Sequence, residues 1–161
     1  MQIIDDALLD ELTGQARKSP RLRKNHNLHQ SYDEPCQRLL NAIEPGSYVR
    51  PHRHTMPPKP ESFVAVRGRL AVLTFDDRGE ILQIVPLGGP GRASVVDIPA
   101  GQWHMVIALE PGAIFFETKP GPYSPIDDKD LAPWAPREGD PEAGSYRDRL
   151  VEQVRGSEDG G

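Results

Sequence analysis

The sequence contains a single cysteine, Cys36, among 161 residues. No internal disulfide can form, and a four-thiolate metal site is excluded. Long hydrophobic runs are missing too, since nothing approaches the roughly 20 apolar residues that span a bilayer. The opening segment MQIIDDALLDEL is acidic where a signal peptide is basic, so the expected location is the cytoplasm, with no membrane partner. Positive charge is not in surplus: 19 basic and 24 acidic residues give −5. All of that deficit falls in residues 127–161, which hold ten acidic and five basic side chains, so residues 1–126 sum to zero. A neutral body offers no broad phosphate-binding surface, which removes nucleic acid from the expected partners. Phosphate loops, dinucleotide glycine signatures, an HExxH helix and a nucleophile elbow are absent as well. Gly88, Gly89 and Gly91 punctuate a turn between strands and lead into no helix. The apolar fraction, 37%, is low for a chain packed throughout, which implies that part of it lies outside the core.

What is present changes character along the chain. Asp5 or Asp6 caps a helix to about Lys18, with Ile4, Leu8, Leu9, Leu12 and Ala16 on one stripe and Pro20 as its stop. In residues 21–30 the polar side chains Arg21, Arg23, Asn25, Asn27 and His29 fall on alternate positions. That segment reads either as a solvated edge strand or loop, or as the polar wall of a pocket. Residues 34–43 read as a short helix with Leu39, Leu40 and Ile43 inward. From there the period drops to two. Strands are expected at about 47–54, 61–67, 69–76, 81–86, 93–98, 103–109 and 113–119, with Asp76-Asp77-Arg78-Gly79 as a hairpin turn. Many short strands without intervening helices indicate an all-β sandwich or barrel. The domain division is an N-terminal helical segment and extended arm at 1–45, a β-barrel at 46–125, and an acidic, largely irregular tail at 126–161. Within the tail, residues 145–155 place Tyr146, Leu150, Val151 and Val154 on one side of a helix capped by Ser145.

The chemistry gathers at Gly46–Gly68, GSYVRPHRHTMPPKPESFVAVRG, and at its distant complement Pro99–His104, PAGQWH. In extended backbone His52 and His54 point to one side, about 6 to 7 Å apart. With Glu61 and His104 they make three imidazoles and a carboxylate, a donor set that suits one divalent ion: Fe, Mn, Ni or Zn. Alternation places Tyr48 and Arg50 on the same side as the two histidines, and the arginine fork suits a carboxylate or phosphate. In the last strand Phe115, Glu117 and Lys119 share a face, and Tyr123 follows at the rim.

These blocks resemble the two cupin motifs, with Gly46, His52, His54, Glu61 and Gly68 at positions of the first and Pro99, Gly101 and His104 at positions of the second. Six residues separate His54 from Glu61 where the pattern has three or four, and Ala108 stands where asparagine is common. Direct ligation by Glu61 and a two-His or three-His site completed by water are both open on this pattern. RKNHNLH at 23–29, YVRPHRH at 48–54, GQWH at 101–104 and FFETKPGPY at 115–123 together resemble the WbuC family of cupin metalloproteins over roughly residues 5 to 125. The resemblance implies a cupin double-stranded β-helix, a jelly-roll barrel with an N-terminal helical segment, and an association with polysaccharide biosynthesis.

The resulting expectation is a metal-binding cupin, a small-molecule metalloenzyme acting on a polar or saccharide metabolite as an isomerase or epimerase. His29 and Glu117 are its candidate proton-transfer groups. Its candidate substrate contacts are Arg23, Asn25, Asn27, Tyr48, Arg50, Lys119 and Tyr123. The alternatives are a non-catalytic binding or structural metal barrel and a non-haem iron dioxygenase. A homodimer through an edge strand or the N-terminal segment is expected.

Overall fold

Asp5 lies in extended backbone and its carboxylate accepts the Leu8 N–H at 3.0 Å, which starts helix α1, Asp6–Lys18. A cap of this kind satisfies an amide that the first helical turn leaves without a partner. The computed structural model describes residues 1–126 and 128–159. After α1 come strands β1 (Arg23–Asn27), β2 (Cys36–Ile43), β3 (Glu61–Arg67), β4 (Leu70–Phe75), β5 (Ile81–Leu87), β6 (Val95–Ile98), β7 (Trp103–Ala108) and β8 (Ala113–Pro120), then helix α2 (Ala143–Asp159).

The strands form two antiparallel sheets, one of five in the order β1-β2-β8-β3-β6 and one of three in the order β5-β4-β7. Their inner faces meet in a core of Ile43, Phe63 and Phe115 from the large sheet against Leu70, Val72 and Val106 from the small one. The outer face of the large sheet is covered by α1, whose Leu9, Leu12 and Ala16 meet Leu40, Ala42 and Ile114. The outer face of the small sheet is also covered. Ala71, Leu73, Phe75, Met105 and Ile107 pack against Ala132, Ala135, Leu150 and Val154. The molecule is therefore a four-layer stack, helix on sheet on sheet on C-terminal segment. Because β4 and β7 are buried on both faces, they read as continuous apolar runs rather than as alternating ones.

Three expectations need correction. The short helix expected at 34–43 is absent: Cys36–Ile43 form β2, preceded by a bend at residues 34 and 35. Leu39, Leu40 and Ile43 satisfy a helical spacing in a window this short. The backbone, however, pairs with β8 from Cys36↔Pro120 to Ile43↔Ala113 and with β1 on its other side, and that pairing prevails over the local period. Residues 47–54 form no regular strand. Pro51 has no N–H to give a ladder, and only single bridges tie His52 to His104 and to Leu131. The tail is not largely irregular: α2 starts at Ala143 and runs for 17 residues, and a 3-10 turn at Asp128–Asp130 leads into the buried Ala132 and Ala135. Of the expected 126–161 tail, Asp127, Gly160 and Gly161 lie outside the described residues. The tail's few apolar side chains are spaced to meet a sheet face that is itself apolar, so a Pro-rich, charged segment still docks. No helix among the described residues is long and apolar enough to cross a membrane.

Candidate metal centre

His52 and His104 face each other across an antiparallel bridge. The His52 N–H donates to the His104 carbonyl at 3.0 Å and the His104 N–H to the His52 carbonyl at 2.9 Å, which brings the ring centroids to 4.5 Å. His54, two residues on, sets its ring 5.4 Å from that of His52. Glu61 opens β3 and is 2% exposed, as is His104. His104 Nε2 lies 3.0 Å from Glu61 Oε2, and His54 Nε2 lies 3.0 Å from Oε1. One ligand atom from each of these four residues falls within 4.8 Å of all the others.

Backbone contacts select the ligand nitrogen. His52 Nδ1 is 3.1 Å from the Arg50 carbonyl and His104 Nδ1 is 2.9 Å from the Gln102 carbonyl, so each Nδ1–H has a backbone acceptor and each Nε2, turned to the cluster, is the atom available to a metal. Burial pushes the His52 imidazole down to about 3, helped by its neighbours His104 and His54, and so keeps it neutral. Burial would raise Glu61, but the His104 and His54 rings beside it and the Lys119 ammonium hold it well below the ordinary carboxylate range. His54 Nε2 is buried without a hydrogen bond of proper angle, although Glu61 is beside it. A buried, ionised carboxylate that shares its one ammonium, Lys119, with Glu117 and stands among inward-facing imidazole nitrogens fits one dication. Ligands held at about 2.0 to 2.2 Å from an ion stand roughly 3 to 4.4 Å from each other, close to the spacing found. Three nitrogens, one oxygen and no thiolate fit the borderline metals expected from the sequence.

The segment carrying His52 and His54 is strapped from outside by the C-terminal region. Asp130, 4% exposed, accepts the Thr55 N–H (2.9 Å) and the Thr55 hydroxyl (2.6 Å). Arg53 N–H donates to the Asp130 carbonyl, Ala132 N–H to that of Pro51, and the Arg50 guanidinium to that of Ala132. The loop that lacks a strand ladder thus receives its hydrogen bonds from the tail.

Next to the cluster is a cavity of about 350 Å³ between the sheets, walled by polar residues of β1, β2 and β8 over a floor of Phe63 and Phe115. Glu117 and Lys119 line it, with Lys119 Nζ 2.7 Å from both Glu117 Oε1 and Glu61 Oε1, and Asn41 donating to Glu117 Oε2 at 2.8 Å. Burial raises the Glu117 carboxyl, and Lys119 only partly offsets it. Burial alone would lower the Lys119 ammonium, but Glu117 and Glu61 hold it above its ordinary value.

Of the residues singled out in the sequence, His52, Glu61, Glu117, Lys119, Arg23 and Asn25 meet at this cavity. The polar alternation of residues 21–30 is both an edge strand and, in part, a cavity wall. The others lie elsewhere. His29 is bound through Nδ1 to the Arg38 backbone (3.0 Å) and, with Asn27, borders a shallow surface recess. Tyr48 turns its hydroxyl to the Pro136 carbonyl at 2.8 Å, and Arg50 is spent on Ala132. The expected alternation failed for these two because the segment is not a strand. Tyr123 stacks on Tyr32 with centroids 4.9 Å apart, on the surface. Sequence reasoning missed Asn41, assigned to a helix, and Asp130, set in a stretch read as irregular. For Asn41 a signal was present: a polar residue between Leu40 and Ala42 alternates at the strand period.

The model of the family described as "Domain of unknown function (DUF6016)" matches residues 4–87, just over half of the chain. No curated protein matches the sequence. Among solved structures the chain is similar to TT1209 from Thermus thermophilus, with 22% identity, TM-score 0.52, and coverage of 74% of this chain and 97% of that one. It is also similar to KdgF from Halomonas sp., with 16% identity, TM-score 0.51, and coverage of 66% and 84%. A third is an RmlC-like cupin protein from Desulfovibrio desulfuricans, with 17% identity, TM-score 0.47, and coverage of 61% and 81%. At these identities the likeness to TT1209 and KdgF concerns the fold alone, and the two-sheet architecture fits the expected cupin fold.

Proposed function

The chain belongs to the DUF6016 family, and from that premise we propose that it is a metal-binding cupin whose metal, held by His52, His54, Glu61 and His104, acts on a small polar molecule in the adjoining cavity. One observation carries this reading: four mutually compatible donors from three separate segments converge within 4.8 Å at the edge of a cavity that a small molecule can enter. A buried dication in such a site supplies Lewis acidity toward a carbonyl or hydroxyl oxygen. Glu117 is the group that holds or returns a proton, since its carboxyl faces the cavity and burial raises its affinity for protons. Lys119 and Asn41 fix its orientation. His29 has no part in this scheme, because it faces a different surface. Isomerisation or epimerisation of a saccharide, as the WbuC resemblance implies, is the reaction class of this reading. Homodimerisation belongs to it too, and a monomeric mass by light scattering at high concentration removes that element.

A cavity beside the cluster favours an exchangeable coordination position over a structural ion closed off by protein. Elemental analysis of protein purified without added metal, beside His52→Ala and His104→Ala, tests the centre. Near-stoichiometric iron, manganese, nickel or zinc, lost in both variants, supports it. A wild-type protein that takes up no metal even after anaerobic reconstitution refutes it. Turnover of sugars, sugar phosphates or organic acids in air but not under nitrogen would favour the oxygenase alternative.

A further inference from the structure

The cavity's charge and its unused hydrogen-bonding capacity specify what it holds, given the metal reading above. Around the cluster, Glu61 and Glu117 against Lys119 leave one net negative charge. A divalent ion turns that into one net positive charge, in a place where burial weakens screening. At the mouth, Arg21 and Arg23 share the single carboxylate of Glu138, at 2.6 and 2.8 Å. From β1 it is Arg23 and Asn25 that face the cavity, whereas Lys24, opposite Ala42 in the ladder, lies on the face that α1 covers.

The spare valences point the same way. All four carboxylate oxygens of Glu61 and Glu117 already face Lys119, Asn41, His54 or His104. Lys119 has three N–H donors and uses two of them, and Asn41 uses one of its two amide hydrogens. The wall therefore offers donors and positive charge, while Phe63 and Phe115 offer an apolar floor. An uncharged polyol supplies acceptors but brings as many donors, and it leaves the positive charge unbalanced. A monoanion with acceptor oxygens on a short carbon frame satisfies both requirements within about 350 Å³.

We propose that this cavity binds a small carboxylate, a hydroxy or keto acid whose carboxyl group is received by the spare N–H donors of Lys119 and Asn41 beside the metal. Arg50, the residue the sequence suggests for an anion, is excluded from this role because its guanidinium is spent on the Ala132 carbonyl.

The test is ligand-observed NMR titration of zinc-loaded protein with matched pairs, lactate against lactamide and gluconate against sorbitol, with inorganic phosphate as a further arm. Zinc content is measured on the same samples. Each acid is expected to bind at least tenfold more tightly than its neutral partner and more tightly than phosphate. Lys119→Gln is expected to abolish that preference. Because this change also touches Glu61, Asn41→Asp provides the second variant: it replaces a cavity donor by a negative charge without touching a metal ligand, and is expected to keep zinc content at the wild-type level and to weaken lactate severalfold more than lactamide. Stoichiometric zinc with lactate no tighter than lactamide overturns this inference and leaves the metal centre standing. Phosphate binding tenfold tighter than either acid overturns the carboxylate assignment. A protein that takes up no zinc overturns the proposed function and this inference with it.

Discussion

Replacing Asp130 with asparagine tests whether the C-terminal strap positions the metal ligands. The carboxylate is 4% exposed, with Oδ2 accepting the Thr55 N–H at 2.9 Å and Oδ1 accepting the Thr55 hydroxyl at 2.6 Å. Asparagine keeps the shape, and the Thr55 hydroxyl can turn to accept from its amide, so what is lost is the charge behind both Thr55 hydrogen bonds and the ion pair with Arg53. Two charge-assisted hydrogen bonds of about 1.5 to 3 kcal/mol each, reduced to neutral ones of about 0.5 to 1.5, amount to a loss of about 2 to 3 kcal/mol. Thr55 adjoins His54, and the segment has no strand ladder of its own, so much of this cost is expressed as freedom of His52 and His54. If about half reaches the ligand pair, roughly 1.4 kcal/mol, the metal dissociation constant rises about tenfold. The magnitude matches what outer partners of metal ligands typically contribute, about 10- to 100-fold. Competition with a fluorescent zinc chelator measures the constant, and thermal unfolding of the metal-free protein is followed in parallel. Glu138→Gln is the control, since it removes a tail carboxylate that contacts Arg21 and Arg23 but not the histidine segment. Zinc affinity within twofold of wild type in Asp130→Asn, with the melting temperature lowered, refutes the positioning argument and leaves Asp130 a purely structural residue.

Burial holds His52 neutral in the folded state down to about pH 3, whereas an unfolded imidazole takes its proton near 6.5. The unfolded chain therefore binds more protons in that window, and metal-free protein should lose stability steadily as pH falls from about 6.5 toward 3. Urea titrations across that range measure the slope, and His52→Gln should flatten it; an unchanged slope removes His52 as its source. Metal binding should also fail on acidification, because protons compete for the ligand nitrogens, and full metal content at about pH 4 by elemental analysis contradicts the ligand set. Gly79 has φ +89°, and a Cβ there would come within 2.6 Å of the Trp134 ring. Gly79→Ala should therefore cost about 1 to 2 kcal/mol in backbone strain plus displacement of the ring, seen as a lower unfolding midpoint; a midpoint at the wild-type value shows that turn and ring move freely. Leu150→Ala removes a buried α2 side chain from the outer face of the small sheet and should cost about 2 to 5 kcal/mol by urea unfolding; a cost below about 0.5 kcal/mol means that α2 does not hold the tail in place.

The metal centre was more legible in the sequence than the cavity beside it. Ligand chemistry is carried by residue type, and three histidines and a glutamate at strand-like positions name a donor set before any fold is known. Cavity walls are carried by direction, which depends on whether a segment is a strand and which sheet face it presents. Glu117 and Lys119 were placed correctly because β8 is a regular strand with a clean period of two. Tyr48 and Arg50 were misplaced because their segment only imitates one, interrupted at Pro51 and bonded on one side to the tail. Asn41 was hidden by a short window in which helix and strand spacings coincide.

By itself the sequence determined the capped first helix, the strands from Glu61 onward with their turns, the all-β class and the donor types, because each rests on local rules of capping, periodicity, glycine and proline placement, and ligand chemistry. Only the tertiary structure decided that β2 is a strand, that the acidic tail forms the fourth layer and straps the histidine segment, and which polar side chains share the cavity. Those outcomes depend on pairing between residues 43 to 82 positions apart, as in Glu61 with His104, Asn41 with Glu117 and Arg50 with Ala132, and no local window contains both partners.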